Sequence, residues 1–238
     1  MRVLTFTSAA DAAYAAATLV ADALRGVSRP TLALPTGRTM VPVYAALAEL
    51  RARGELDLTD ASAFNLDELL LPRSHPATFR TYMERHAWER IGLGRERCGI
   101  PDSAAQDPAA ECARYDAALA DIEPLDLALV GVGADGHIAY NLPGPPVAGT
   151  HVVELPDLTA EALGVEAALR PLRAITVGFR PLLRARRIVA VATSADKAEA
   201  VRHLVDGPID ERWPCSLLLD HPAIDVVAAL EAITEPVR

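Results

Sequence analysis

The sequence predicts an α/β protein, with a mostly parallel sheet covered by helices on both faces. Short apolar runs at residues 3–6, 31–34, 61–66, 125–130, 173–177, 187–192 and 224–230 alternate with longer helix-forming segments, the pattern of repeated strand-helix units. The run at 125–130 is apolar almost throughout, as expected for a strand buried on both faces rather than one. Polar and glycine residues collect where the runs end, which is where an open parallel sheet binds its ligands.

The chain supports this element by element. After the strand at 3–6, Ser8 or Asp11 can cap an alanine-rich helix over 12–25. The buried strand at 31–34 leads through Pro35-Thr36-Gly37-Arg38-Thr39 into a helix over 41–53. Such a turn has two readings. Helix N-terminal N–H groups and the Thr36 and Thr39 hydroxyls suit a small anion, and the same residues suit a capped turn with no ligand. The run at 61–66 ends at Asn65-Leu66-Asp67-Glu68, so a strand end again delivers carboxylates, although an acidic pair there also reads as a helix cap. An irregular loop around Pro72 and His75-Pro76 precedes a helix over 78–91, with Phe79, Met83 and Trp88 facing the core. His75 and His86 read as structural residues. A helix over 109–122 precedes the strand at 125–130, and another strand is expected at 151–155. The alanine-rich segment 156–170 reads as a packing helix, with a lid as the alternative. After the strands at 173–177 and 187–192, Asp196-Lys197 opens a helix to about 205. A cation at a helix start opposes the helix dipole, a hint that an anion shares the site.

Residues 131–137, which follow the central strand, carry the most chemistry. Gly131, Gly133 and Gly136 satisfy G-x-G-x-x-G, and Glu154 stands eighteen residues after Gly136, as in a dinucleotide fingerprint. That reading fails on the segment between them. Pro143, Gly144, Pro145, Pro146 and Gly149 cannot build the helix such a site requires. Two readings remain: a glycine-rich connection with an incidental polar pair, or an acid/base site in which Asp135 holds the His137 imidazole in one tautomer.

Bulk properties narrow the function. The 238 residues suit one large α/β domain spanning 1–238, without a linker. With 51% hydrophobic and 23% charged residues the composition is that of a soluble globular protein, and no stretch approaches the roughly 18 apolar residues of a membrane span. No signal peptide is apparent at the start, so a cytoplasmic location is expected. A net charge of −9 without a basic cluster argues against nucleic acid as a partner. Cys98, Cys112 and Cys215 are widely spaced and odd in number, which suggests neither a disulfide framework nor a metal site.

Taken in order, Pro-Thr-Gly-Arg-Thr, FNLDELLLP, HPATFRTYM, GADGHIAYNLPG, AITVGF, SADKAEA and SLLLDHP resemble the glucosamine-6-phosphate deaminase and 6-phosphogluconolactonase family over nearly the whole chain. Asn65-Leu66-Asp67-Glu68, the histidine-proline loop and Asn141 are more similar to the deaminase branch. The resemblance implies a three-layer α/β/α sandwich with a Rossmann-like sheet, and an enzyme that needs neither cofactor nor metal and acts on a sugar phosphate. Family members occur as monomers and as homo-oligomers, and no interface signature is visible.

Position by position, the resemblance implies that Asp67 moves a proton between C2 and C1 of the opened sugar, that His137 assists ring opening, and that Asp135 is the aspartate of Asp-Gly-His. It places Thr36, Gly37, Arg38, Thr39 and Lys197 at the substrate phosphate. The chain departs from the deaminase pattern in two regions. Leu142 stands where deaminases carry a glutamate that supports the histidine, a part left to Asp135 or Glu68. The segment 150–170 is short and lacks a lid arginine, while Arg38 stands in place of a serine and either compensates, the reading preferred, or signals a different substrate. The function implied is conversion of glucosamine 6-phosphate, or a related amino-sugar phosphate, to fructose 6-phosphate and ammonia through a cis-enolamine. A lactone hydrolase using His137, an altered sugar-phosphate isomerase and a sugar-phosphate-binding regulator are the alternatives.

Overall fold

The computed structural model describes residues 1–229. Among them are ten strands: β1 (Arg2–Phe6), β2 (Thr31–Leu34), β3 (Ser62–Asn65), β4 (Asp67–Leu69), β5 (Cys98–Gly99), β6 (Leu127–Gly131), β7 (His151–Glu154), β8 (Arg173–Thr176), β9 (Ile188–Ala192) and β10 (Ile224–Ala229). The helices are α1 (Ala9–Leu24), α2 (Met40–Ala52), α3 (Phe79–His86), α4 (Trp88–Ile91), α5 (Pro108–Ala120), α6 (Asp157–Ala162), α7 (Phe179–Leu183) and α8 (Ala198–Val205). Leu230, the last residue of the run expected at 224–230, lies outside the described residues.

Seven strands form one sheet in the order β1-β10-β9-β6-β2-β3-β5, and every pairing in it is parallel. Residues along the central strands divide between two hydrophobic cores. Leu127 and Leu129 face one core, whereas Ala128 and Val130 face the other; Val189 and Val191 are separated in the same way from Ile188 and Ala190. Both faces are therefore dry. Each large side chain so buried contributes roughly 1.5–3 kcal/mol, which explains apolar runs without a polar alternation. The alanines of α1 (Ala12, Ala13, Ala16 and Ala17) are all buried, so this helix lies close against its layer. Its N-terminus is capped as expected, the Ser8 hydroxyl accepting the Asp11 N–H at 3.1 Å.

Several expectations are corrected. Asp67 and Glu68 do not stand at the end of the strand expected at 61–66: β3 stops at Asn65 and Asp67 opens the separate strand β4. β4, β8 and β7 form a second, antiparallel sheet, so the segments 151–155 and 173–177 do not join the parallel one. Apolar periodicity cannot assign a short run to a sheet, because pairing partners are distant in sequence. The helix expected over 78–91 breaks at Ala87, whose φ of −124° and ψ of −85° are not helical. Segment 156–170 is not one helix but α6 followed by a 3₁₀ turn at Ala167–Leu169, with Gly164 between them in the left-handed region at φ +69°. β5, α7 and a 3₁₀ turn at Pro214–Leu218 were not anticipated; all are short, and short elements carry little periodicity.

Candidate active site

From β2 the chain proceeds to β3 and β5 on one side of the sheet, and from β6 to β9 and β10 on the other. Their shared boundary is a topological switch point, and the loops leaving it diverge to open a crevice. A cavity of about 690 Å³ lies there. It is lined by the turn after β2, the glycine segment after β6, the end of β9 and the first residue of β4.

Thr36, Gly37, Arg38 and Thr39 all line this cavity. Thr39 occupies the N-cap position of the 13-residue helix α2 but makes no side-chain cap, so its hydroxyl is open to a ligand. Of the first helical positions, Met40 donates its N–H to the Gly37 carbonyl at 3.0 Å and Pro42 has none, which leaves the Val41 N–H and the helix dipole to act on an anion. Lys197 enters from the β9 side at the end of a 3₁₀ turn, Ala195–Lys197, immediately before α8. Its ammonium donates to the Val132 carbonyl, bridging the ends of β9 and β6. Burial holds the Lys197 amine below its usual range, the Arg38 charge acts in the same direction, and Asp196 and Asp135 oppose them. A desolvated ammonium that feels a guanidinium is relieved by an anion between them.

Asp135 and His137 are brought together by the turn after β6. His137 Nδ1 lies 2.6 Å from Asp135 Oδ1, which also accepts the His137 backbone N–H at 3.2 Å. Burial pushes the Asp135 carboxyl up, but the bonds and charge of His137 outweigh it and the net shift is downward. An ionised carboxylate only accepts, so Nδ1 carries the proton and Nε2 is the free ring nitrogen. Gly133 is required by this arrangement: a Cβ there would stand 2.3 Å from the imidazole Nδ1 and Cε1. Gly136 holds the turn at φ +80°, a conformation that disfavours other residues. His137 lines the cavity; Asp135 stands behind it as its partner.

Asp67 reaches the cavity from β4 and is only 5% exposed. Its Oδ1 is buried without a hydrogen-bond partner. Burial, with a smaller contribution from the neighbouring Glu68 charge, raises its pKa to about 8. Glu68 points elsewhere. It accepts the N–H groups of Leu69, Phe79 and Arg80, so it caps α3 from a distance, in keeping with the cap reading of the acidic pair. Neither Glu68 nor Leu142 orients the imidazole; Asp135 does.

Tyr140, Thr193 and Ser194 also line the cavity and were not singled out in the sequence. The end of an apolar run, applied to 187–192 as it was to 125–130, would have flagged Thr193 and Ser194. The cysteines are free, Cys112 and Cys215 being buried. His75 is indeed structural, its Nε2 lying 2.9 Å from Glu166 in the segment after α6. Among the described residues, no helix is long and apolar enough to cross a membrane, and no cluster of metal-ligating side chains is present.

Fold and site together define an α/β protein with an aspartate–histidine pair, a buried carboxyl, two cations and a helix start around one crevice. Comparison with known proteins makes this specific. Residues 6–227 match the family model of glucosamine-6-phosphate isomerases and 6-phosphogluconolactonases, and the chain belongs to that family. A glucosamine-6-phosphate deaminase of Beutenbergia cavernae is 36% identical over 95% of this chain and 89% of its own length. Another, from Halothermothrix orenii, is 34% identical over 98% of both. Among solved structures, a monomeric glucosamine-6-phosphate deaminase superposes with a TM-score of 0.89 at 32% identity, covering 98% of each chain. The 6-phosphogluconolactonase of Trypanosoma brucei shares the fold, with a TM-score of 0.75 at 17% identity over 97% of each chain.

Proposed function

We propose that this protein is a deaminating aldose-ketose isomerase that converts glucosamine 6-phosphate to fructose 6-phosphate and ammonia. The observation that carries the reading is the buried, unpartnered Asp67 carboxyl in the same cavity as His137 and the Arg38–Lys197 cations. Likeness to deaminases above 30% identity across the chain supports it further.

Arg38, Lys197, the Thr36 and Thr39 hydroxyls and the α2 N-terminus hold the phosphate. His137, fixed by Asp135, transfers protons at the ring oxygen through Nε2 as the ring opens. Asp67 then takes the C2 proton. The C–H pair becomes the C1=C2 bond, and O1 takes up a proton as nitrogen gives one up. Asp67 returns its proton to C1 on the same face, leaving an imine at C2 that water converts to the ketone and ammonia. An ionised Asp67 is favoured once the substrate's amino group brings a positive charge beside it. Residues 1–238 act as one catalytic unit in the cytoplasm, on a small soluble substrate.

The decisive experiment measures ammonia and fructose 6-phosphate together on incubation with glucosamine 6-phosphate, with Asp67→Asn as control. Both products from the wild type, and neither from the variant, are expected. A folded wild type that releases no ammonia but hydrolyses 6-phosphogluconolactone, with Asp67→Asn equally active, would replace this reading with the lactonase one.

A further inference from the structure

Tyr140 lines the cavity beside the acid/base groups and has no assigned part in the reaction. Its ring is packed on one side against Phe79, with centroids 5.9 Å apart and planes at 20°, and lies 6.1 Å from the His137 ring. Its hydroxyl has no hydrogen-bond partner among the described residues, unlike those of Tyr44 and Tyr82, which donate to the Pro35 and Gly37 carbonyls. Burial, and then the Asp67 charge, push the phenol well above its usual range, so it stays a protonated donor within the electrostatic reach of Asp67.

The backbone around it is fixed. Ala139 adopts φ +54°, a left-handed conformation costly for a residue with a Cβ, and it persists only where its surroundings impose it. Here they do. The Tyr140 N–H donates to Thr176 Oγ1 at 3.0 Å, and Asn141 Nδ2 donates to the Ile138 and Val177 carbonyls at 2.9 and 2.8 Å. A strained turn that carries a rigid, unpartnered donor into a reactive cavity is preorganised for charge that develops there.

Resting on the deaminase reading, we infer that Tyr140 is a catalytic residue whose hydroxyl donates to O1 of the opened sugar. When Asp67 removes the C2 proton, the C1=O1 π pair moves onto O1. The developing negative charge is adjacent to the carbon that Asp67 later protonates, and a neutral donor within the field of Asp67 stabilises it without competing for the proton.

Tyr140→Phe keeps the ring and its packing on Phe79. Steady-state kinetics on glucosamine 6-phosphate should show kcat reduced by about 10²-fold or more with KM unchanged, because the bond strengthens only as O1 gains charge. The melting temperature should match the wild type. An unchanged kcat, or a raised KM with kcat intact, overturns the proposal. If the variant melts early, 3-fluorotyrosine at 140 decides: its more acidic phenol at nearly the same size should raise kcat at neutral pH, and an unaltered kcat again overturns it. Absence of ammonia from the wild type overturns the deaminase reading and this inference with it, whereas an active wild type matched by Tyr140→Phe removes this inference alone.

Discussion

Glu68 Oε1 accepts the backbone N–H of Phe79 at 2.7 Å, so the carboxyl next to Asp67 in sequence fastens β4 to the start of α3. Adjacent residues on a strand point to opposite faces, and here the two carboxyls divide into a cavity group and a structural one. Glu68→Gln should therefore behave as a stability variant. An amide offers one oxygen where three N–H groups are met, and leaving a buried donor unpaired costs about 1–3 kcal/mol. Urea unfolding should show a lower midpoint. Retention of wild-type stability would mean that α3 does not depend on this contact.

Asp67 should behave in the opposite way. Its folded pKa, about 8, lies above the value of 3.8 for a free aspartate, so the native state holds its proton more tightly than the unfolded chain does. Stability from this group is fully present below pH 3.8 and is lost as pH rises through about 8. Asp67→Asn removes that loss. At pH 8.5 the variant should be more stable than wild type by at least about 1 kcal/mol, or about 2–4 °C in melting temperature for a chain of this size, with the gain vanishing near pH 4. Equal melting curves at both pH values would contradict a raised pKa at this site.

The same group sets an activity profile. A base must be ionised to accept the C2 proton, so kcat/KM for the free enzyme should fall as pH drops below about 8. In the complex, the substrate's ammonium favours the carboxylate, and the corresponding limb in kcat should lie at lower pH. Coincident limbs in the two profiles would argue against a cationic substrate next to Asp67.

Much of this was legible in the sequence. The parallel sheet followed from apolar runs without alternation, because strands dry on both faces have no solvent side to mark with polar residues. Asp135, Gly133 and His137 were legible since they fall within five residues and close through one turn. Asp67 was placed at a strand end, but its chain partners were not foreseen. Pairing of Asp67 with Thr176 across more than a hundred residues is set by the fold and leaves no local pattern. Tyr140 was hidden for a related reason. Its importance rests on an unpartnered hydroxyl and on Ala139 at positive φ, and neither property belongs to a residue type.

Asp135→Asn keeps the shape of the pair and changes its chemistry. The carboxylate accepts from Nδ1–H, but an amide can present its NH₂ group and favour the tautomer with Nδ1 unprotonated. Nε2 then carries the proton and cannot accept one at the ring-opening step. Loss of acid/base assistance should lower kcat/KM by about 10²–10⁴-fold with folding intact. A variant with wild-type kcat/KM would show that Asp135 does not set the tautomer, and the absence of a carboxylate at Leu142 would then leave the imidazole without any orienting acid among the described residues.

The cations make a separable prediction. Arg38 is exposed and Lys197 partly buried; burial is the main cause that holds the lysine amine below its usual range, and the Arg38 charge adds a smaller push in the same direction. Lys197→Met removes the buried charge and its bond to the Val132 carbonyl, while Arg38→Ser removes only the exposed one. Both should raise KM for a phosphorylated sugar. Added salt should weaken the wild type through the exposed Arg38 more than through Lys197, since buried interactions are screened less. Arg38→Ser should therefore show a flatter dependence of KM on ionic strength than Lys197→Met. If KM is unchanged in Arg38→Ser, the arginine does not hold the phosphate, which is then left to Lys197, the Thr36 and Thr39 hydroxyls and the α2 N-terminus.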